Sequence, residues 1–289
     1  METRSRPLGT LALLVTTLLW GTTFVMMKAA FRELSVIWVI ALRFTGAAIF
    51  LGILCALRGV KPDRGTICGG MKMGIFLFTA YFLQNLGLER IAPGKNAFLL
   101  TGYTVLTPFV VWVWEKKRPA LWDFLMAAVC FTGMGMASLS GELTIGFGEA
   151  ITIFSGLFYA LHIVCSAREA QDRDPLALTM VQMTTIAVIS LAGALLFSTW
   201  PGQLSGSTWA NLAYLSIICS GVCFLLQTVG QKYTTATEAA LLLPFESVFA
   251  AVIAALLGEE MFPREIAGYC LMFLAAVMSQ IRPGDKTQQ

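Results

Sequence analysis

The sequence has 289 residues, of which 57% are hydrophobic and only 13% charged, with a mean hydropathy of +0.74 and a net charge of +3. Soluble domains carry about 25% charged residues, so much of this surface has no water to face. Neither a soluble enzyme domain nor a nucleic-acid partner fits that balance; a lipid bilayer does.

Ten apolar stretches of about twenty residues, each long enough for a ~30 Å hydrocarbon core, run end to end. They lie at roughly 8–31, 36–57, 67–88, 93–114, 121–140, 147–168, 175–198, 208–231, 238–257 and 264–281. Lipid offers backbone N–H and C=O groups no partners, so each is read as a helix. The fold class is an all-α integral membrane protein with ten transmembrane helices, and the short connections hide no soluble domain.

The first stretch follows Arg4 and Arg6 as a signal peptide would, but it is too long for a cleavable one and is read as retained. Its centre is Trp20-Gly21-Thr22-Thr23. Gly21 allows close helix approach, while Thr22 and Thr23 can bond to backbone or to a cavity occupant. Lys28 marks the membrane edge, where a long side chain can snorkel to water, and the same is expected of Lys72 and Lys95.

In the second stretch Arg43 lies some seven residues inside, where snorkelling or structural pairing is the favoured expectation. The third and fourth add Gln84, Asn85, Asn96 and Tyr103, neutral groups that commonly act as glue between helices. In the fifth, Gly133 and Gly135 suit a helix contact, either internal or between subunits of a homodimer. The sixth carries Tyr159 and the single histidine, His162, three apart on one helix face. Such a histidine can titrate near neutral pH or make one interhelical hydrogen bond. Gln182 follows in the seventh and Gln227 in the eighth.

The ninth holds Pro244-Phe245-Glu246-Ser247, which puts a carboxyl about 12 Å of helix from the edge. An acid at that depth either pairs across helices or meets a substrate or proton. The seven cysteines fall in or beside the stretches and form no Cys-x-x-Cys pair. They read as free, buried, small apolar residues, with no metal or disulfide framework.

Lysine and arginine placement sets the orientation. With the N-terminus cytoplasmic, the inner loops hold Arg4, Arg6, Arg58, Lys61, Arg64, Lys116, Lys117, Arg118, Arg168, Arg173, Lys232, Arg282 and Lys286, against Arg32, Arg90 and Arg264 outside. Both termini are therefore expected inside.

The halves also resemble one another. Phe82-Leu83-Gln84-Asn85-Leu86-Gly87 matches Leu225-Leu226-Gln227-Thr228-Val229-Gly230, and the spacing of Glu115 and Pro119 recurs at Glu259 and Pro263. Five helices per half would put the second copy in the membrane upside down, the inverted-repeat plan of many secondary transporters. The expected units are 1–140, 147–282 and a polar cytoplasmic tail at 283–289.

Several of these segments, taken in order, carry a family resemblance. Leu19-Trp20-Gly21-Thr22-Thr23-Phe24-Val25 with Lys28, Ala41-Leu42-Arg43-Phe44, and Phe98-Leu99-Leu100-Thr101-Gly102-Tyr103 before Pro108 resemble the EamA-type drug/metabolite transporters. Phe224-Leu225-Leu226-Gln227-Thr228, Glu246-Ser247-Val248-Phe249-Ala250-Ala251 and Leu257-Gly258-Glu259 continue the match along the chain. The resemblance implies two inverted five-helix repeats around a central cavity lined by helices 1, 3, 4, 6, 8 and 9. It further implies alternating access and outward movement of small organic solutes across the bacterial inner membrane. One departure is that Ser247, where the family often has proline, follows the ninth-helix glutamate.

The reading is a secondary transporter, an exporter of amino acids or other amphipathic metabolites, with no cofactor and no metal. Candidate substrate-binding residues are Trp20, Thr23, Gln84, Tyr103, Tyr159, His162, Gln227 and Glu246. A receptor or scaffold without transport is the alternative. An intramembrane enzyme is less favoured, because one histidine cannot build a two-histidine metal site and no acidic cluster flanks a span. No Gly-x-x-x-x-Gly-Lys-[Ser/Thr] occurs, so energy would come from a solute gradient, exchange or the proton gradient.

Overall fold

A computed structural model describes residues 5–116, 118–138, 145–233 and 242–280. Arg4, Lys117, Arg282, Lys286, the first residues of the expected ninth stretch (238–241) and the expected tail 283–289 lie outside the described residues.

The helices are α1 (Ser5–Ala30), α2 (Val36–Arg58), α3 (Arg64–Leu88), α4 (Pro93–Leu100), α5 (Gly102–Glu115) and α6 (Leu121–Ser138) in the first half. In the second half they are α7 (Phe147–Glu169), α8 (Pro175–Phe197), α9 (Gly206–Tyr214), a π-helical segment (Leu215–Val222), α10 (Cys223–Tyr233), α11 (Phe245–Leu256) and α12 (Pro263–Gln280). Helices α4 and α5 form one rod with a break at Thr101, and α9, the π segment and α10 form another. Among the described residues ten rods result, at the places the hydropathy marked. Seven are long and apolar enough to cross a membrane, while α6 and α11 are shorter apolar helices.

Polar caps end the rods. Asp63 accepts from the Thr66 N–H, Asp174 from the Ala177 N–H and Ser205 from the Thr208 N–H, each filling an orphan donor at a helix start. Helix α2 stops at Gly59, whose φ of 63° an L side chain resists. Between caps the helices are mostly apolar, including on the outward faces. Leu57, Val188, Leu195, Phe197 and Leu256 point outward, as lipid-facing residues do.

Packing joins α2 to α8, α3 to α7, α6 to α12, α1 to α10 and α11, α5 to α7, and α4 to α11. Several of these pairings correspond when the rods of one half are exchanged with those of the other in chain order, although the packing of α5 on α6 has no comparable counterpart in α11 on α12. For example, α3 on α7 becomes α10 on α1, and α5 on α7 becomes α11 on α1.

Two glycines illustrate how closely the helices approach. A Cβ on Gly133 would lie 2.7 Å from the Gly268 carbonyl oxygen, so α6 and α12 meet backbone to backbone. A Cβ on Gly21 would lie 2.6 Å from the Phe249 Cβ, which brings α1 against α11. The contact expected at Gly133 is therefore made within the chain. The cysteines are free, but Cys68 and Cys270 are exposed rather than buried, because both sit on outward faces of their helices.

Candidate functional site

All eight residues singled out in the sequence line one narrow cavity, with a volume of about 30 Å³ open to a water-sized occupant. Its wall is drawn from α1, α2, α3, the α4–α5 rod, α7, α10 and the start of α11.

From α1, the Trp20 indole N–H donates to the Cys219 carbonyl at 2.9 Å and its ring lies 5.0 Å from that of Phe224. Thr23 turns its hydroxyl back to the Trp20 carbonyl at 2.7 Å. A polar network then ties three helices together. The Gln84 amide donates to Asn96 Oδ1 at 3.2 Å, Asn96 donates to Thr152 Oγ1 at 2.8 Å, and Tyr159 Oη donates to Gln84 Oε1. Gln84 thus holds α3, α4 and α7 in register. Gln227, which matches Gln84 in sequence, builds no comparable network: it is buried and makes no side-chain hydrogen bond among the described residues.

Glu246 is buried in the first turn of α11, just after Pro244, rather than in mid-helix as its depth suggested. Pro244 has no N–H to extend a helix backward, which places the carboxyl at a helix start. Tyr103 Oη donates to Glu246 Oε1 across 3.5 Å, a long bond. No lysine or arginine lies within ion-pair distance of Glu246 among the described residues. His162 is 2% exposed, and its Nε2 lies 3.0 Å from the Gln182 amide nitrogen. With that nitrogen as donor, Nε2 accepts and the ring proton sits on Nδ1.

Sequence reasoning did not place three polar lining residues in the site, namely Arg43, Tyr81 and Asn85. Arg43 neither snorkels nor forms an ion pair among the described residues. It is fully buried and donates to Ser220 Oγ at 2.6 Å, Tyr81 Oη at 3.3 Å and the Cys219 carbonyl at 3.5 Å. The available signal was its charge in mid-span, which in lipid points to a cavity or partner. Tyr81, Tyr159 and Tyr103 then stand in a row, with successive ring centroids 5.8 and 5.9 Å apart.

At the end expected to face outward, the edge lysines are held by protein instead of snorkelling. Lys28 Nζ donates to three carbonyls, Leu88 at 2.7 Å, Glu89 at 2.8 Å and Ile91 at 2.9 Å. Lys95 pairs with Glu149 at 3.4 Å and Glu265 at 3.3 Å. Glu259 accepts from the Gly94 N–H at 3.1 Å, and burial pushes its carboxyl up from the ordinary range. These bonds tie α1, α3, α4, α7, α12 and the turn after α11 together at one end of the cavity. Lys72, which lies 3.9 Å from Glu169, stays exposed as expected.

The EamA-like transporter family model matches residues 7–139 and again 146–280. A protein of Archaeoglobus fulgidus named as an uncharacterized transporter is 28% identical over 273 residues, covering 94% of this chain and 85% of that one. A second uncharacterized transporter of the same organism is 36% identical over 74 residues, covering 26% of this chain and 25% of its own length. A solved crystal structure superposes with a TM-score of 0.71 at 17% identity, covering 96% of this chain and 97% of that one, which shows a shared fold.

Proposed function

Because the chain belongs to the EamA-like transporter family, a multi-pass membrane transporter, we propose that it exports small organic solutes by alternating access around this cavity. One observation carries the reading. Eight polar or aromatic residues on six separate rods converge on a single cavity, where the polar ones escape the cost of facing lipid.

The substrate in this reading is an amphipathic metabolite such as an amino acid. The aromatic rings hold its apolar part, and Glu246 receives an amino group or carries a proton. The residues now bonded to one another across the cavity, Tyr159 to Gln84 and Tyr103 to Glu246, would exchange those bonds for bonds to the solute. The cluster around Lys28, Lys95 and Glu259 is the closed outer gate.

The two halves act as inverted repeats, 1–140 and 147–282, that rock against each other. Two findings support this: the family model matches twice, and the larger helix pairings correspond between the halves. The lysine and arginine asymmetry supports cytoplasmic termini in a bacterial inner membrane.

The test is counterflow in proteoliposomes with labelled amino acids, nucleosides and organic cations. Wild type is expected to accumulate one class, and Glu246→Gln to lower that uptake at least ten-fold. Folded wild-type protein that accumulates no member of the panel would overturn the reading.

A further inference from the structure

The transport reading leaves one buried charge without a use. Arg43 lies about 10 Å of helix inside α2. It is fully buried, lines the cavity, and has no carboxylate within ion-pair distance among the described residues. A guanidinium does not give up its proton in a protein, so this is a permanent positive charge. Its surroundings are neutral: one hydroxyl each from Ser220 and Tyr81, the Cys219 carbonyl, and the faces of Tyr81 at 5.1 Å and Phe44 at 5.5 Å. Neutral acceptors and aromatic faces offset only part of the desolvation cost of a buried cation.

The backbone beside it is arranged for this side chain. Ser220 and Cys219 belong to the π-helical segment Leu215–Val222, a geometry found mostly at functional sites. The Cys219 carbonyl takes both the Trp20 indole N–H and the guanidinium, which ties the cation to a residue already placed in the site. A second unmet group faces the same space. Asn85 donates to the Tyr81 carbonyl at 2.7 Å, while its Oδ1 is buried with no hydrogen-bond partner. Glu246 stands on the far side of the Tyr81, Tyr159 and Tyr103 row, outside ion-pair distance of Arg43.

The geometry points to Arg43 as the anion site of the cavity, so that the transported solute must carry a carboxylate. The planar fork of the guanidinium suits a carboxylate. Such a group would supply the missing counter-charge, while a donor elsewhere on the same solute meets Asn85 Oδ1. Solutes that are only cationic are rejected by the fixed charge. This inference rests on the transporter reading and assigns its substrate class.

The test uses the full-length protein in proteoliposomes and matched probes, L-phenylalanine and L-leucine against their carboxamides, with choline as a third arm. Wild type is expected to favour the carboxylates over the carboxamides and choline by at least ten-fold. Arg43→Gln should reduce that preference at least ten-fold, and Arg43→Lys should restore part of it, in line with the weight of a charged hydrogen bond. Should Arg43→Gln fail to fold, thermal protection of the wild type provides the readout: the carboxylates should raise its melting temperature and the carboxamides should not.

Equal transport of carboxylates and carboxamides by wild type, or an unchanged preference in folded Arg43→Gln, overturns the assignment. So does equal thermal protection by the two probe classes. Uptake of choline or carboxamides alone would overturn it while leaving the transporter reading intact. Absence of uptake of every probe and of the wider panel by folded wild type would overturn both.

Discussion

Lys28→Met tests whether the end of the cavity near Lys28 is held shut by one ammonium. Methionine keeps the length and apolar stem of the side chain, so packing changes little while three charge-assisted hydrogen bonds are lost. The bond to Glu89 O is exposed and contributes little. Those to Leu88 O and Ile91 O are part-buried, at 2.7 and 2.9 Å. At about 1.5 kcal/mol for each part-buried bond to a charged donor, the seal weakens by about 3 kcal/mol. Since about 1.4 kcal/mol is a factor of ten, local opening of the α3–α4 turn should rise roughly 100-fold. Hydrogen–deuterium exchange on a peptide spanning 88–94, read by mass spectrometry in nanodiscs, measures this directly. Exchange there should accelerate strongly while the centres of α2 and α8 keep their protection. If the 88–94 amides exchange at the wild-type rate in Lys28→Met, the ammonium is not a latch and the gate argument is wrong.

Two further changes probe other contacts. Gly133→Val drives a side chain into the Gly268 backbone, which cannot move aside as a flexible side chain would, and should destabilise the fold by about 3 kcal/mol. Because that contact is internal, the loss should appear as a lower melting temperature of the chain rather than a shifted monomer–dimer equilibrium on size-exclusion chromatography. In the α1–α2 turn, the Ser205 hydroxyl and N–H both donate to Glu33, holding its carboxyl below the ordinary range. A carboxylate depressed on folding stabilises at neutral pH and loses that contribution as pH falls through its folded value. Glu33→Ala should therefore melt below wild type at pH 7, and the gap should close in acid; a gap independent of pH would rule out the charged form as its source.

Hydropathy marked the ten rods because lipid leaves a chain so few options. The same constraint explains why the eight chosen side chains met. A polar group in mid-span must turn inward, and one bundle has one interior. That logic applied equally to Arg43, but a long side chain can also pair or snorkel, and only the structure shows it surrounded by neutral groups. Lys28 was misplaced for a related reason. Its partners lie 60 to 63 residues away and are backbone carbonyls, which carry no residue-type signal. Gln227 echoes Gln84 in sequence, yet only Gln84 has Asn96 and Tyr159 within reach, so similar segments need not make similar bonds.

The interruptions in the helices fall where the cavity is. The α4–α5 rod breaks at Thr101, two residues before Tyr103. The π segment lies one turn before Phe224 and Gln227 and presents the Cys219 carbonyl to Trp20 and Arg43. The turn at Leu243 and Pro244 immediately precedes Glu246. By contrast α2 and α8, which pack extensively against each other, run unbroken. A regular helix in lipid spends every interior carbonyl on its own ladder and has none to offer a ligand. Breaking that ladder costs free energy, and the cost is tolerable only where other protein groups or a polar occupant meet the released carbonyls. The broken rods therefore bring released backbone groups beside the cavity, while the continuous rods α1, α2, α3 and α7 line it with side chains alone.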